Sequence, residues 1–331
     1  MITEIFTYHR PKTIAEAVRA MKHHNNATVV SGGTDLMHLM KRRLTRPKHL
    51  ISVAHIDEIC GIRIGPSGEL RIGAVTCLSE IACADAISKG WPILSEVISH
   101  VAAPQIRNRA TIGGNLLQSP RCMYYRHGDF VCSRRGGETC YATVPDGNCR
   151  HHSIFGGTGC IAVHPSDIAP ALIAMDTVLE VAGANGSRIV AANDFFKNPK
   201  RPGFRDTAIG PGEILTRICI PPLPSHSRCA YIKSAGRRAI DFAYVSVAVR
   251  FDFAGDTVED ARVVAGAVAP TPLRLHDSEG VINGCTTQNV DIDAASSKAV
   301  AGARPHKNNR YKLDLLKRLV ASAVRCALHA S

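Results

Sequence analysis

The sequence predicts an α+β protein of more than one unit, and three observations predict it. Over the first two thirds of the 331 residues, short apolar runs of strand type alternate with short amphipathic helical stretches. The break Pro222-Leu223-Pro224-Ser225-His226-Ser227 then separates a segment of longer strand runs and one C-terminal helix. The length also suits two or three cores.

Phe6-Thr7-Tyr8 reads as a first strand. Thr13-Ile14-Ala15-Glu16 is a capping box: the threonine hydroxyl can accept from the amide three residues on, and Glu16 can reach back to the cap. Ile14, Ala17, Val18 and Met21 then share one helical face. Ala27-Thr28-Val29-Val30 is a buried strand running into Ser31-Gly32-Gly33-Thr34-Asp35, and Leu36 resumes as helix. Strand, glycine pair and helix start can cradle a phosphate, because glycine lets backbone amides approach oxygen closely. The same pattern also serves as a plain tight turn. It is not the G-x-G-x-x-G dinucleotide fingerprint.

Strands follow at Leu50–Val53, Gly61–Gly65 and Leu70–Ala74, and helices at Leu78–Ile87 and Pro92–His100. Thr111-Ile112-Gly113-Gly114-Asn115 is a second glycine-pair turn, able to close on the same ligand or to mark a crossing of backbones. Ser166 caps a helix to Met175, with Asp167 in its first turn. Thr177–Ala182 and Arg188–Ala191 form a hairpin, Pro199–Pro211 a loop, and Glu213–Ile220 a strand. Beyond the proline break, Cys229–Ser234, Ala243–Phe253 and Ala261–Val268 are strands. Leu313, Leu316, Leu319, Val320 and Val324 line a C-terminal core helix.

The stretch from Gly113 to Asp167 departs from this regular pattern. It holds Cys122, Cys132, Cys140, Cys149 and Cys160 among loop-forming residues. A loop poor in apolar residues needs something other than a core to order it, and thiolates on a metal or an iron–sulfur cluster would serve. Inert buried cysteines, disulfides and a structural zinc site are the competing readings. Spacing alone leaves cluster and zinc open, and one of the five is surplus to either.

Composition narrows the function classes. The chain has 45% hydrophobic and 21% charged residues and a formal charge of +12. The basic residues are dispersed and aromatics are 5%, which argues against nucleic acid and for a solvated face or an acidic partner subunit. No apolar run reaches eighteen residues, so no membrane insertion is expected. The N-terminus carries no signal-peptide pattern. Twelve cysteines without one predict a reducing, cytoplasmic setting.

Four segments occur in an order that carries a resemblance: Val30-Ser31-Gly32-Gly33-Thr34-Asp35, Gln105-Ile106-Arg107-Asn108, Thr111-Ile112-Gly113-Gly114-Asn115 and Pro165-Ser166-Asp167-Ile168-Ala169-Pro170-Ala171-Leu172. Pro211-Gly212-Glu213-Ile214-Leu215 and Lys233-Ser234-Ala235-Gly236-Arg237-Arg238 extend it over essentially the whole chain. Together they resemble the FAD-binding medium subunit of the molybdenum hydroxylases, the xanthine dehydrogenase and carbon monoxide dehydrogenase family. Most members pass almost directly from the Gly-Gly-Asn turn to the Pro-Ser-Asp helix. The cysteine loop inserted here resembles two groups with an extra [4Fe–4S] cluster, the flavoprotein subunits of 4-hydroxybenzoyl-CoA reductase and of periplasmic aldehyde oxidoreductase. Its short first gap is more similar to the second.

The resemblance implies a vanillyl-alcohol-oxidase-like (PCMH-type) FAD-binding fold of two α/β subdomains, residues 1–55 and 56–222, with an iron–sulfur insertion at 118–163. A C-terminal α/β domain of CO-dehydrogenase flavoprotein type follows at 227–331. It implies non-covalent FAD on Val29, Val30, Ser31, Gly32, Gly33, Thr34, Asp35, Leu36, Ala103, Thr111, Gly113, Gly114 and Asn115. Asp167 is expected at a ribose or adenine donor, Leu215 against the adenine or flavin, and Lys233 near the isoalloxazine. Cys122, Cys132, Cys140 and Cys160 are the implied cluster ligands, with Cys149 dispensable. The implied partners are a large molybdopterin subunit that oxidises an aldehyde or aromatic substrate and a small subunit with two [2Fe–2S] clusters. The terminal electron acceptor stays open. No residue of this chain is an expected acid–base catalyst, and His151, His152 and His164 are expected to be loop or packing residues and not ligands. The 4-hydroxybenzoyl-CoA reductase type would run electrons toward substrate instead. Periplasmic location by co-export is the alternative to the cytoplasm. Outside the family, a zinc-stabilised nucleotide-binding protein and a free-standing flavin oxidase remain, the latter lacking a substrate base.

Overall fold

The computed structural model describes residues 5–198, 206–237 and 240–330. Arg238 and residues 199–205 of the expected Pro199–Pro211 loop lie outside them. The first unit is a parallel sheet ordered β1-β3-β2, from β1 (Thr7–His9), β2 (Ala27–Val30) and β3 (His49–Ser52). Helices α1 (Ile14–His23) and α2 (Leu36–Lys41) connect the strands. Thr13 caps α1, accepting from the Glu16 amide at 3.1 Å. Glu16 reaches back one residue further than expected, accepting from the Lys12 amide at 2.8 Å. Ala17 and Val18 bury the apolar stripe of α1 against Ile51, Val53 and Ile56.

The second sheet is antiparallel and ordered β4-β5-β8-β6-β7. Its strands are β4 (Ile62–Ile64), β5 (Leu70–Gly73), β6 (Val178–Gly183), β7 (Gly186–Ala191) and β8 (Ile214–Ile220). Seven short helices accompany it: α3 (Leu78–Ala82), α4 (Asp85–Gly90), α5 (Pro92–Ser99), α6 (Pro104–Arg107), α7 (Ile112–Leu116), α8 (Ile168–Ala174) and α9 (Ala192–Phe195). The single helix expected over Leu78–Ile87 is thus two, parted at Cys83 and Ala84. The expected second glycine turn is instead part of α7. Thr111 caps that helix by accepting from the Gly114 amide at 3.1 Å, and the Gly113 amide donates to the Ala74 carbonyl at 2.9 Å. A strong N-cap and tertiary backbone bonds here outweigh the low helix propensity of glycine. The core of this unit joins Leu70, Ile72, Leu179 and Ile218 to Leu94, Val97, Ile98 and Leu172.

The third sheet is antiparallel, β12-β11-β10-β9, from β9 (Ser227–Ser234), β10 (Val245–Ala254), β11 (Thr257–Gly266) and β12 (Leu273–Arg274). Helices α10 (His276–Ile282), α11 (Ile292–Lys298) and α12 (Tyr311–His329) complete the unit, and α12 packs on β9 and β10. Leu316, Leu319, Val320 and Val324 form the buried stripe of α12. Tyr231, Ala248 and Val264 of this sheet enter the core around α8, so the second and third units share packing.

The cysteine loop corrects one expectation. It has a small core of its own, in which Tyr124, Ala142, Cys149 and Ile161 are buried beside Phe130 and Tyr141. The rings of Tyr124 and Phe130 lie 5.0 Å apart, edge to face. The loop is also tied to the third unit: the Ile154 and Phe155 amides donate to the Val268 carbonyl at 2.8 and 3.1 Å. Asn309 Nδ2 donates to the carbonyls of His152 and Ser153 at 3.2 and 2.9 Å. A metal is therefore not the only source of order in this segment.

Candidate functional site

A cavity of about 650 Å³ opens where β2 runs into its glycine turn. Val29, Val30, Ser31, Gly32, Gly33, Thr34, Asp35 and Leu36 form one wall, with Thr111, Gly113, Gly114 and Leu215 opposite. The amides of Gly32, Gly33, Thr34 and Asp35 donate to no group among the described residues, whereas those of Gly113, Gly114 and Asn115 are satisfied within the fold. Consecutive free amides before a helix form an anion-binding concavity. Ser31 and Arg135 also line this cavity, and among the described residues Ser31 Oγ and Arg135 Nε are buried behind its surface without a partner. A pyrophosphate-bearing ligand fits this donor set.

Gly32 and Gly33 are required for different reasons. A Cβ on Gly32 would stand 1.8 Å from the Arg109 carbonyl oxygen, because the backbone ahead of α7 presses against the turn. Gly33 has φ +72°, in the left-handed region. The Asp35 side chain, at the wall of the cavity, is engaged within the fold. It accepts from Arg121 at 3.0 Å, Arg126 at 2.7 Å and the Ser119 amide at 2.9 Å, fastening the start of the cysteine loop to the phosphate turn. This arginine pair was not legible as a partner of Asp35.

Four of the expected residues lie outside the lining of the glycine-turn cavity. Ala103, Asn115 and Lys233 line neither this cavity nor a second one of about 330 Å³ between the second and third units. Asn115 instead accepts from Ser166 Oγ at 2.5 Å. Asp167 lines the second cavity, with His164, Phe242 and Tyr244 among its neighbours, away from the glycine turn. Its carboxylate accepts from Lys233 at 2.7 Å, so each charge is neutralised by the other. Burial pushes the Asp167 carboxyl up, against the opposing pull of Lys233.

Cys122, Cys132, Cys140 and Cys160 converge on one small closed cavity. Cys149 is absent from that lining; it is buried nearby and its thiol donates to Asn308 Oδ1 at 3.4 Å. No three of the cysteine sulfurs lie within 4.8 Å of one another. A tetrahedral zinc would hold thiolates about 3.8 Å apart, from Zn–S bonds of about 2.3 Å. The sulfurs are thus not gathered as a mononuclear zinc site would hold them. His152, expected to be a packing residue, is closer to the chemistry: its Nε2 lies 3.2 Å from Cys122 Sγ. Burial, then the charge of Lys312, lower its pKa to about 4, so the ring is neutral and can donate to a thiolate. Burial pushes the Cys122 thiol up to about 11, so a bound metal would be needed to keep it deprotonated. His151 stacks on Tyr244 at 5.1 Å and His164 packs edge-on to Phe196 at 4.6 Å.

Tyr125 and Arg134 line both the large cavity and the cysteine cavity. Arg134 forms an ion pair with Asp206 and stands 3.8 Å from Cys160 Sγ. Nothing in the spacing of the cysteines signalled Tyr125, whereas Arg134 stands in the basic turn between Cys132 and Cys140.

Residues 4–223 match the model of the FAD binding domain in molybdopterin dehydrogenase, and residues 230–327 that of the CO dehydrogenase flavoprotein C-terminal domain. The chain is 34% identical over 322 residues to the aldehyde oxidoreductase FAD-binding subunit PaoB of Escherichia coli strain K12, covering 96% of this chain and 97% of that one. It is 29% identical to the carbon monoxide dehydrogenase medium chain of Hydrogenophaga pseudoflava, over 100% of this chain and 98% of that one. Among solved structures, reconstituted CO dehydrogenase from Oligotropha carboxidovorans superposes with a TM-score of 0.79 at 28% identity, with both chains covered fully.

Proposed function

Since the chain belongs to the FAD-binding family of the molybdopterin dehydrogenases, we propose that it is the FAD- and [4Fe–4S]-carrying electron-transfer subunit of a molybdenum-containing oxidoreductase. A large molybdopterin subunit oxidises the organic substrate, an aldehyde or an aromatic heterocycle, and a small subunit carries two [2Fe–2S] clusters. This chain passes the electrons to a terminal acceptor. The observation that carries the reading is the convergence of Cys122, Cys132, Cys140 and Cys160 on a cavity that shares Tyr125 and Arg134 with the large cavity.

FAD, once bound, supplies exchange of one or two electrons. The chain's own residues do the rest. The amides of Gly32 to Asp35 hold the pyrophosphate. Leu215 gives an apolar wall. The four thiolates hold the cluster, His152 donates toward Cys122, and Arg134 offsets negative charge at Cys160. No three of the sulfurs are gathered within 4.8 Å of one another, the grouping that a mononuclear zinc site needs. Among the described residues no helix is long and apolar enough to cross a membrane.

The test is an iron count on the purified complex. Serine at Cys122, Cys132, Cys140 or Cys160 should each remove about four irons, one cube's worth, while Cys149→Ser keeps them. Loss with Cys149→Ser and retention with Cys160→Ser would overturn the ligand assignment. A wild-type complex with no iron beyond that of the small subunit would overturn the cluster itself.

A further inference from the structure

The first sheet carries a group of side chains that neither the flavin cavity nor the cysteine loop uses. His9 ends β1, His24 follows the last residue of α1, and His49 opens β3. The strand β3 lies between β1 and β2, with Thr7 and Ala27 both opposite His49. That pairing brings three imidazoles from separate elements together. One ring nitrogen from each lies within 4.8 Å of the other two. His9 Nε2 and His49 Nδ1 are 3.1 Å apart. The His24 ring stacks on His49 and lies tilted against His9, with centres 4.3 Å apart in both cases, so a turn of the His24 ring brings its lone pair onto a shared ion. All three are half-buried.

Three imidazole nitrogens this close suit a cation better than they suit each other. Two neutral rings can share one hydrogen bond, but the third then presents either a lone pair to a lone pair or a proton to a proton. Protonating more than one ring would set like charges in contact. A late first-row divalent ion resolves this by taking all three lone pairs at about 2.0–2.1 Å. The donors are all nitrogen, which suits zinc, copper or nickel, whereas magnesium and calcium require oxygen. Of the charged groups that could hold a metal, no carboxylate joins the three histidines among the described residues.

We propose that His9, His24 and His49 form a zinc site, with a fourth position left for water. The ion ties the edge strand β1, the exit of α1 and the first residue of β3 together. The edge needs such a tie, because β1 is held to β3 by a register of only Thr7, Tyr8 and His9. The site also braces β2, whose far end is the phosphate turn; Met21 and Ala27, close to His24 in the chain, line the large cavity.

The experiment uses the whole complex, stripped of loosely bound metal with a chelator, desalted and exposed to zinc. Wild type should retain about one more zinc per copy of this chain than a variant carrying His9→Ala, His24→Ala and His49→Ala. Iron and flavin contents should be equal in both, which separates this result from the fate of the cluster reading. Equal zinc in the two proteins overturns the site. His24→Gln, a single change at a half-buried position, guards against misfolding of the triple variant and should weaken zinc retention in the same direction. Zinc-edge X-ray absorption should show nitrogen neighbours at about 2.0–2.1 Å; sulfur neighbours would move the ion to the cysteine loop and overturn the assignment. Amides of β1 should exchange about 100-fold more slowly when free zinc is 100 times its dissociation constant, and unchanged exchange with zinc bound would overturn the bracing role.

Discussion

The Nζ of Lys233 lies 2.7 Å from the Asp167 carboxylate and 2.9 Å from the His100 carbonyl oxygen, with both charged side chains almost wholly buried. Lys233 belongs to β9, while Asp167 precedes α8 and His100 follows α5. One ammonium group thus joins the C-terminal unit to two helices of the unit before it. Removing either partner leaves a buried charge uncompensated, which costs about 3–5 kcal/mol. Lys233→Met and Asp167→Asn should each lower the urea midpoint of the complex, and the double variant should recover at least about 1 kcal/mol of the summed loss. Strict additivity would mean that the two do not act as a pair.

The glycine turn makes a graded prediction. Gly33→Ala places a methyl group at a positive φ, a cost of about 1–2 kcal/mol. Gly32→Ala must instead displace the backbone at Arg109, because its Cβ would meet that carbonyl oxygen at 1.8 Å. Overpacking against backbone costs about 3 kcal/mol or more, and the displaced loop leads into α7 on the opposite wall of the cavity. The flavin-to-protein ratio of the purified complex should therefore fall further for Gly32→Ala than for Gly33→Ala. The reverse order would contradict the close approach of the two segments.

On the proposed reading of the cysteine cavity, Arg134 is placed to set the potential of the cluster it would hold. Its guanidinium is 3.8 Å from Cys160 Sγ and is held by Asp206. A fixed cation beside a cluster favours the added electron, so its loss makes reduction harder. Arg134→Gln should shift the midpoint potential negative by on the order of 60 mV, a tenfold change for one electron. Arg134→Lys should shift it much less. A redox titration followed by electron paramagnetic resonance decides; equal potentials in the three proteins would make Arg134 a purely structural residue.

What the sequence made legible was local. The capping box at Thr13, the strand Ala27–Val30 ending in its glycine turn, and the stripe on α12 each depend on neighbours a few residues away. The convergence of Cys122, Cys132, Cys140 and Cys160, and the exclusion of Cys149, followed from the family resemblance and not from spacing. What stayed hidden depends on long-range pairing. Asp35 reaches its arginine partner Arg126 across 91 positions, and Lys233 reaches Asp167 across 66. No periodicity links His9, His24 and His49, which only the order β1-β3-β2 brings together. Gly113-Gly114 misled in the other direction: its composition signals a turn, yet the Thr111 cap and the Ala74 carbonyl hold it as helix.

His164 provides a pH test. The residue is buried against Phe196, and its Nδ1 accepts from the Ser166 amide at 3.3 Å. Burial lowers its pKa from 6.5 to about 4, with a smaller push from Arg134 and an opposing effect from the Leu116 carbonyl. The unfolded chain therefore takes up a proton near pH 6.5 that the folded chain refuses until about pH 4. Between these values the unfolded state binds more protons, so stability falls as the pH falls. The contribution is fully present above about pH 6.5, and its loss amounts to about 3 kcal/mol by pH 4. His164→Asn keeps an acceptor for the Ser166 amide and does not titrate. Other groups change protonation over this range in both proteins, His152 among them, so the comparison is between the two pH profiles. Urea midpoints of wild type and His164→Asn should converge as the pH is lowered from 7 to 4, with wild type losing about 3 kcal/mol more over that span. Parallel profiles would show that His164 is protonated in the folded chain as readily as in the unfolded one, which its burial against Phe196 forbids.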